Sequence, residues 1–320
     1  MAAEPKTLQE AIIYFADPKN CREYLVARRW PMGVVCPTCG SSKVKLSEKH
    51  NRWQCASHHD KRQFTLKTGT IFEESPIGLD KWLTTMWQVV NCKNGVSSYE
   101  IGRAIGVTQK SAWFMLHRLR EVMQDPQTGG KLSGEVEVDE TFIGGKARNM
   151  HGDVKARKLQ GRRGGTQGKE IVAAVLERGG KVRAKVVDKR KKKDLQALVR
   201  DNVEPGSALY SDALKSYEGL DGEFLHQVID HAIAYVDGQV HTNGMENFWS
   251  LLKRGIGGTY VSVEPYHLFR YVDEQAFRFN NRKDMNDAER FSLAVSQVTG
   301  KRLTWNQVIG KEGEPRQYAK

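Results

Sequence analysis

The period of apolar and polar positions changes several times along this chain, and each change predicts an element. Residues 7–30, closing on Tyr24-Leu-Val-Ala-Arg-Arg-Trp30, carry apolar side chains at mixed helical spacing and read as one lead-in helical segment within 1–30. Leu79, Trp82, Leu83, Met86, Trp87 and Val90 recur at the three- and four-residue steps of an amphipathic helix. Beyond Asn94-Gly95, Ser97 or Ser98 and Thr108 are placed to cap two further helices joined at Gly106, so 75–124 has the spacing of a helix-turn-helix region. Pro126 and the pair Gly129-Gly130 then mark a boundary. Glu135-Val-Glu-Val-Asp139 alternates as a strand does, while Glu170–Leu176 and Lys181–Val187 flank Gly179-Gly180 as a hairpin. A helix at 193–202, a strand at 207–211 and a helix at 241–253 follow, and Leu268, Tyr271, Val272, Gln275 and Phe279 predict a helix that covers the core.

Three strands, helix, strand, helix is the order in which an RNase H-like fold begins. The fold class expected for 131–285 is therefore α/β, an RNase H-like mixed five-stranded sheet flanked by helices. Residues 286–320 read as a polar C-terminal tail. The stretch Lys146 to Gly168, basic and rich in glycine, reads as a mobile loop whose Arg162 and Arg163 are equally suited to phosphates or to plain solvation.

Charge changes the picture next. Fifty Lys and Arg against 38 Asp and Glu, with a pI near 9.4, favour a polyanionic partner such as nucleic acid. The run Lys189-Arg-Lys-Lys-Lys193 is equally suited to phosphates or to a solvated helix end. No run of apolar residues is long enough for a membrane span, and Met1-Ala-Ala-Glu-Pro-Lys does not open a secretory signal, so a cytosolic, reducing setting without membrane partners is expected.

In such a setting five cysteines are poor material for a disulfide framework, and three of them sit at metal-ligand spacing. Cys36-Pro-Thr-Cys39 and Cys55-Ala-Ser-His58 make a C-x2-C, C-x2-H pattern, two knuckles that together offer the four ligands tetrahedral zinc takes in a closed, structural site. A zinc ribbon over 31–72 results. His58 preserves the two-residue gap, with His59 adjacent and His50 in reach. In the helix-turn-helix, the start of the second helix is the part that meets base edges, which nominates Gln109, Lys110 and Ser111, with Arg118 and Arg120 available for phosphates.

Asp139 and Asp212 close two of the strands, and Glu246 lies seven residues, two helical turns, before Lys253. Three acids from three elements suit hard divalent cations such as Mg²⁺, whose pairing serves in-line attack on a phosphodiester. Glu140 is assigned to the other face of its strand and left out of this set. Trp53 and Trp249 read as core residues rather than as stacking platforms for bases.

Several segments together resemble the zinc-ribbon DDE transposases of bacterial insertion sequences, the ISXO2-like group: Cys36-Pro-Thr-Cys39-Gly, Phe64-Thr-Leu-Lys-Thr-Gly-Thr-Ile-Phe72, Val138-Asp-Glu-Thr-Phe-Ile-Gly-Gly145, Tyr210-Ser-Asp212, His241-Thr-Asn243 with Glu246, and Phe248-Trp-Ser-Leu-Leu-Lys-Arg-Gly255. The similarity runs from about residue 20 to 285. It implies cleavage at element ends and transfer of the 3′-hydroxyls into target DNA with two Mg²⁺ or Mn²⁺ ions. It also implies a homo-oligomer that acts on both ends in concert. By this resemblance Asp139, Asp212 and Glu246 take the three acidic positions, with Asn243 as a competing third residue, and Lys253 contacts DNA near the scissile phosphate. Relatives commonly close the second knuckle with two cysteines, where this chain has Cys55 and a histidine. A DNA-binding regulator with a silent catalytic domain and a nuclease without strand transfer are the rival readings.

Overall fold

The computed structural model describes residues 3–125, 130–145, 152, 166, 168–212, 215–229 and 242–312. Two compact units emerge: one holds the chain up to Gln124 together with the described segment from Lys283, the other runs from Asp125 to Arg282.

In the first unit the lead-in segment is two helices rather than one, α1 (Leu8–Phe15) and α2 (Pro18–Arg29). The break has a local cause: Pro18 cannot continue a preceding helix but fits the first turn of a new one, and the Asp17 carboxylate caps it by accepting from the Lys19 amide. Strands β1 (Val44–Ser47), β2 (Arg52–Cys55) and β3 (Gln63–Phe64) form a small antiparallel sheet. Its inner face stacks Trp53 on Phe64 and meets Trp30 edge-on. Trp53 is thus a core residue, as expected.

Helices α3 (Leu79–Asn91), α4 (Ser98–Ile105) and α5 (Gln109–Val122) follow the predicted periodicity. Ser97 and Glu100 form a capping box on α4, and Thr108 caps α5. The turn between them needs glycine twice. Gly106 lies in the left-handed region at φ 64°, and a Cβ on Gly102 would come within 3.0 Å of the Val107 carbonyl oxygen.

The segment read as a tail is structured in its described part. It forms α9 (Asp287–Ser296) and α10 (Trp305–Val308), each opened by a capping box. Phe291 is fully buried against Phe15, Tyr24 and Trp87, so this helix completes the core of α1, α2 and α3.

The second unit is a five-stranded mixed sheet in the order β6-β5-β4-β7-β8, built from β4 (Glu135–Ile143), β5 (Glu170–Glu177), β6 (Val182–Val187), β7 (Ala208–Asp212) and β8 (Leu225–Ile229). The first three strands are antiparallel and the last two join in parallel, as the RNase H-like reading requires. Period-two alternation divides the side chains between two cores. Val136, Val138, Ala173 and Val175 face the layer of α6 (Lys192–Asn202); Val172, Ala174 and Leu176 face that of α7 (Asn243–Arg254) and α8 (Leu268–Asn280). By the same alternation Glu137 and Asp139 point toward α7, and Glu140 points to the other face. The loop expected at Lys146 to Gly168, with Arg162 and Arg163, lies almost wholly outside the described residues.

Candidate active site and metal centre

The cysteine knuckles converge. Ligand atoms of Cys36, Cys39, Cys55 and His59 all lie within 4.8 Å of one another, with His59 Nε2 3.5 Å from Cys36 Sγ and the Cys39 and Cys55 sulfurs 3.7 Å apart. His59, not His58, is the fourth member; His58 is exposed. The correction follows from side-chain length. An imidazole carries its nitrogen farther from the backbone than a thiol does, so a third intervening residue lets it fold back onto the cluster. Burial pushes the Cys55 thiol up, but hydrogen bonds from His59, Ser57 and Cys39 outweigh it and bring the thiol down to about 6. A thiolate beside an imidazole is the donor chemistry zinc selects, and three sulfurs with one nitrogen leave no open position. The residues fit a structural zinc ion.

At the helix-turn-helix, Gln109 and Lys110 are exposed at the start of α5 and Ser111 is half-buried. The Gln109 amide donates to Ser98 Oγ, and the Lys110 ammonium sits 4.6 Å from the centre of the Trp305 ring. Arg118 is different, and the phosphate role expected for it is overturned. Only 5 % exposed, it donates to the carbonyl oxygens of Ile71, Glu73 and Leu303, tying three segments together. Arg120 is likewise buried, at 1 %. The apolar positions 112, 115, 116 and 119 turn this flank of α5 inward, so an arginine three residues from Met115 goes with it. Replacing Arg118 with Ala leaves three buried carbonyls short of a charged donor. We expect a loss of about 3 kcal/mol or more, read as a fall in the thermal midpoint of the first unit, with DNA affinity compared only below that midpoint.

In the second unit, the parallel ladder of β4 and β7 pairs Glu135 with Ala208 and Glu137 with Tyr210. Asp139 and Asp212 lie two residues beyond the end of this ladder on the same two strands, near enough for the Asp212 charge to act on Asp139. Asp139 Oδ2 accepts from the Trp249 indole at 2.8 Å, and Oδ1 from the Glu140 amide at 2.8 Å. Burial raises Asp139 to about 7 against these two donors, and the charges of Glu140 and Asp212 add to the rise. Glu140, on the opposite face, is also raised by burial; it accepts from Tyr217 at 2.9 Å and from Arg190 at 3.2 Å. Arg190 of the basic run is therefore held at the sheet, its guanidinium 4.8 Å from the Phe142 ring centre. Buried, mutually repelling carboxylates are an arrangement that a cation relieves, and their hard oxygens match Mg²⁺ or Mn²⁺. The residues fit.

Glu246 and Lys253 are both exposed on α7, with no side-chain partner among the described residues. Asn243 opens the same helix and is also exposed. Among the described residues the thiol–imidazole group alone reaches mutual metal-ligand spacing; Glu246 does not close with Asp139 and Asp212 to that degree. Trp249 is buried as expected of a core residue, but its N–H on Asp139 was not legible in its spacing. The buried carboxylate of Glu137, which accepts from the Met245 amide at 2.8 Å and from Arg178 Nε at 3.0 Å, was missed as well. The signal available for it was a charged residue at a position of β4 that the sheet buries. No helix among the described residues is long and apolar enough to cross a membrane.

Residues 131–280 match the profile of the ISXO2-like transposase domain, and residues 17–60 match the transposase zinc-ribbon domain. An uncharacterized protein in transposable element ISH50 of Halobacterium salinarum is 27 % identical over 277 residues, 82 % of this chain and 93 % of that protein. An uncharacterized transposase-like protein of Haemophilus influenzae is 33 % identical over 102 residues, 32 % of this chain and 82 % of its own length. A chain in the solved simian T-cell lymphotropic virus intasome with PP2A regulatory subunit B56 gamma aligns over 58 % of this chain and 66 % of its own, at 11 % identity and a TM-score of 0.28, too distant to carry weight.

Proposed function

Because the chain belongs to the ISXO2-like transposase family, we propose that it is a DNA transposase that cleaves the ends of an insertion sequence and joins their 3′-hydroxyls to target DNA. The observation that carries this reading is the placement of Asp139 beside Asp212 on two parallel strands, with a helix bearing Glu246 and Lys253 hydrogen-bonded to Asp139 through Trp249. Asp139, Asp212 and Glu246 would hold Mg²⁺ or Mn²⁺, which supplies activation of the attacking oxygen and stabilisation of the leaving one. Water attack breaks the phosphodiester at the element end and frees a 3′-hydroxyl. That hydroxyl then attacks a target phosphodiester, forming one bond for the one it breaks. Lys253, exposed on the same helical face as Glu246, is suited to a phosphate beside the reacting one.

Other parts support the same reading. The zinc-binding cluster holds the ribbon, and Gln109, Lys110 and Ser111 at the start of α5 are placed to meet DNA. Two ends must be cut in concert, so the working form on DNA is a homo-oligomer.

The test uses duplexes carrying the sequences that flank the gene, a plasmid target and Mg²⁺. Joined products are expected. Cuts without joins would instead identify a nuclease, and binding without cuts a regulator. The third acid is tested in the same assay: Glu246→Gln is expected to lower joining about 10²-fold or more, whereas Asn243→Ala leaves most of it. The reverse order would make Asn243 the third residue.

A further inference from the structure

Helix α7 starts without a cap of its own. Its N-cap residue, Thr242, makes no side-chain hydrogen bond to the first turn. The missing acceptor comes from the sheet. Glu137, 1 % exposed on β4, accepts the Met245 amide at 2.8 Å, which places a carboxylate at the positive end of the helix. The approach is too close for any side chain at Gly244, where a Cβ would lie 2.8 Å from Glu137 Oε2 and 2.5 Å from Leu176 Cδ2.

One helical turn on there is a second tie of another kind. Met245 donates through its backbone amide to Glu137, and Trp249 through its indole N–H to Asp139. Glu137 and Asp139 share one face of β4, so two ties from successive turns hold the start of α7 against that strand, with Glu246 on the turn between them.

We propose that Glu137 is a positioning residue: by capping α7 from β4 it sets where Glu246 stands relative to Asp139 and Asp212. This rests on the transposase reading above. It separates Glu137 from the acids that touch the ion, although all share the sheet's surroundings. Arg178 completes its hold by donating to the other carboxylate oxygen at 3.0 Å.

The experiment must separate positioning from mere stabilisation. Zinc-loaded protein is titrated calorimetrically with Mn²⁺ as wild type, Glu137→Ala, and Glu137→Ala with Thr242→Asp. The aspartate gives the helix a cap of its own and so restores the melting temperature without restoring the tie to β4. The double variant is expected to bind Mn²⁺ about tenfold or more weakly despite its recovered stability. Gly244→Ala, which forces the helix and Glu246 outward while removing no acid, is expected to weaken Mn²⁺ binding in the same direction, and Glu137→Gln, which keeps a carbonyl oxygen for Met245, is expected to retain most of the affinity. Wild-type affinity in both the double variant and Gly244→Ala would overturn the proposal. Absence of Mn²⁺ binding to the wild type would instead overturn the transposase reading on which it rests.

Discussion

Asp139→Asn is expected to lower strand cleavage and joining by about 10³-fold or more, some ~4 kcal/mol of transition-state stabilisation, while DNA binding and fold persist. The substitution is close to isosteric, and one of its two terminal positions stays an oxygen able to accept from Trp249. What it removes is the charge. Without a divalent cation that charge is a burden, because burial and the neighbouring Glu140 and Asp212 hold Asp139 up at about 7. A carboxyl whose folded pKa lies above its unfolded one costs stability as pH rises from the ordinary carboxylate range through 7, and costs nothing below that range. The metal-free asparagine variant should therefore melt above the wild type at pH 8 and converge with it near pH 3. Added Mg²⁺ should close the gap by stabilising the wild type alone. Gel-based joining assays and calorimetric melts at two pH values check both halves. A variant that joins ends at the normal rate would remove Asp139 from the chemistry.

Stripping zinc is expected to have the larger structural effect. The ribbon's inner face is little more than Trp53, Phe64 and Leu66 against Trp30, too small a core to fold alone. Structural zinc contributes an apparent ~10–16 kcal/mol in modules of this size, which becomes folding free energy. Chelation, or Cys36→Ser, should therefore expose Trp30 and Trp53 to solvent, shift their fluorescence to the red and open 31–72 to protease, while the Asp125–Arg282 unit keeps its own transition. The paired histidines sharpen the test. His59→Ala should release the metal to a competing chelator, and His58→Ala should not; the opposite result would restore the two-residue gap as the operative spacing.

That gap shows where sequence and structure part. Regular elements were legible because their cause is local: alternation at Glu135–Asp139 and the Gly179-Gly180 turn mark strands, and Ser97, Gly106 and Thr108 punctuate the helix pair. Other local signals were present and underweighted. Asp17-Pro18 is a cap followed by a first-turn proline, and Asn286 with Glu289 and Thr304 with Gln307 are capping boxes in a stretch read as a tail. Strand β8 was not located, since His226 and Gln227 interrupt its apolar run and it lies at the sheet edge. Asp139 and Asp212 were legible as strand ends, and their proposed catalytic role, with that of Glu246, came by resemblance. Arg118 was not. Basic residues on a helix read alike from sequence, and only the packing of Ile71, Glu73 and Leu303 against α5 decides that this one faces carbonyls. Glu137 was hidden by the same limit, because its partner amide lies 108 residues away.

The return of the described segment from Lys283 to the first unit orders events during synthesis. Ribosomes release chain from the N-terminus, and domains generally fold in that order. Here the later part of the chain, Asp125–Arg282, has all its strands before Phe291 emerges to fill the core of α1, α2 and α3, and before Leu303 reaches the Arg118 guanidinium. The Asp125–Arg282 unit can therefore mature first, and the unit with the ribbon and the helix pair closes last. On the proposed function, a nascent or prematurely terminated chain would hold Asp139 and Asp212 in place yet lack a finished ribbon and helix pair, which would confine cutting to chains translated through that closing segment.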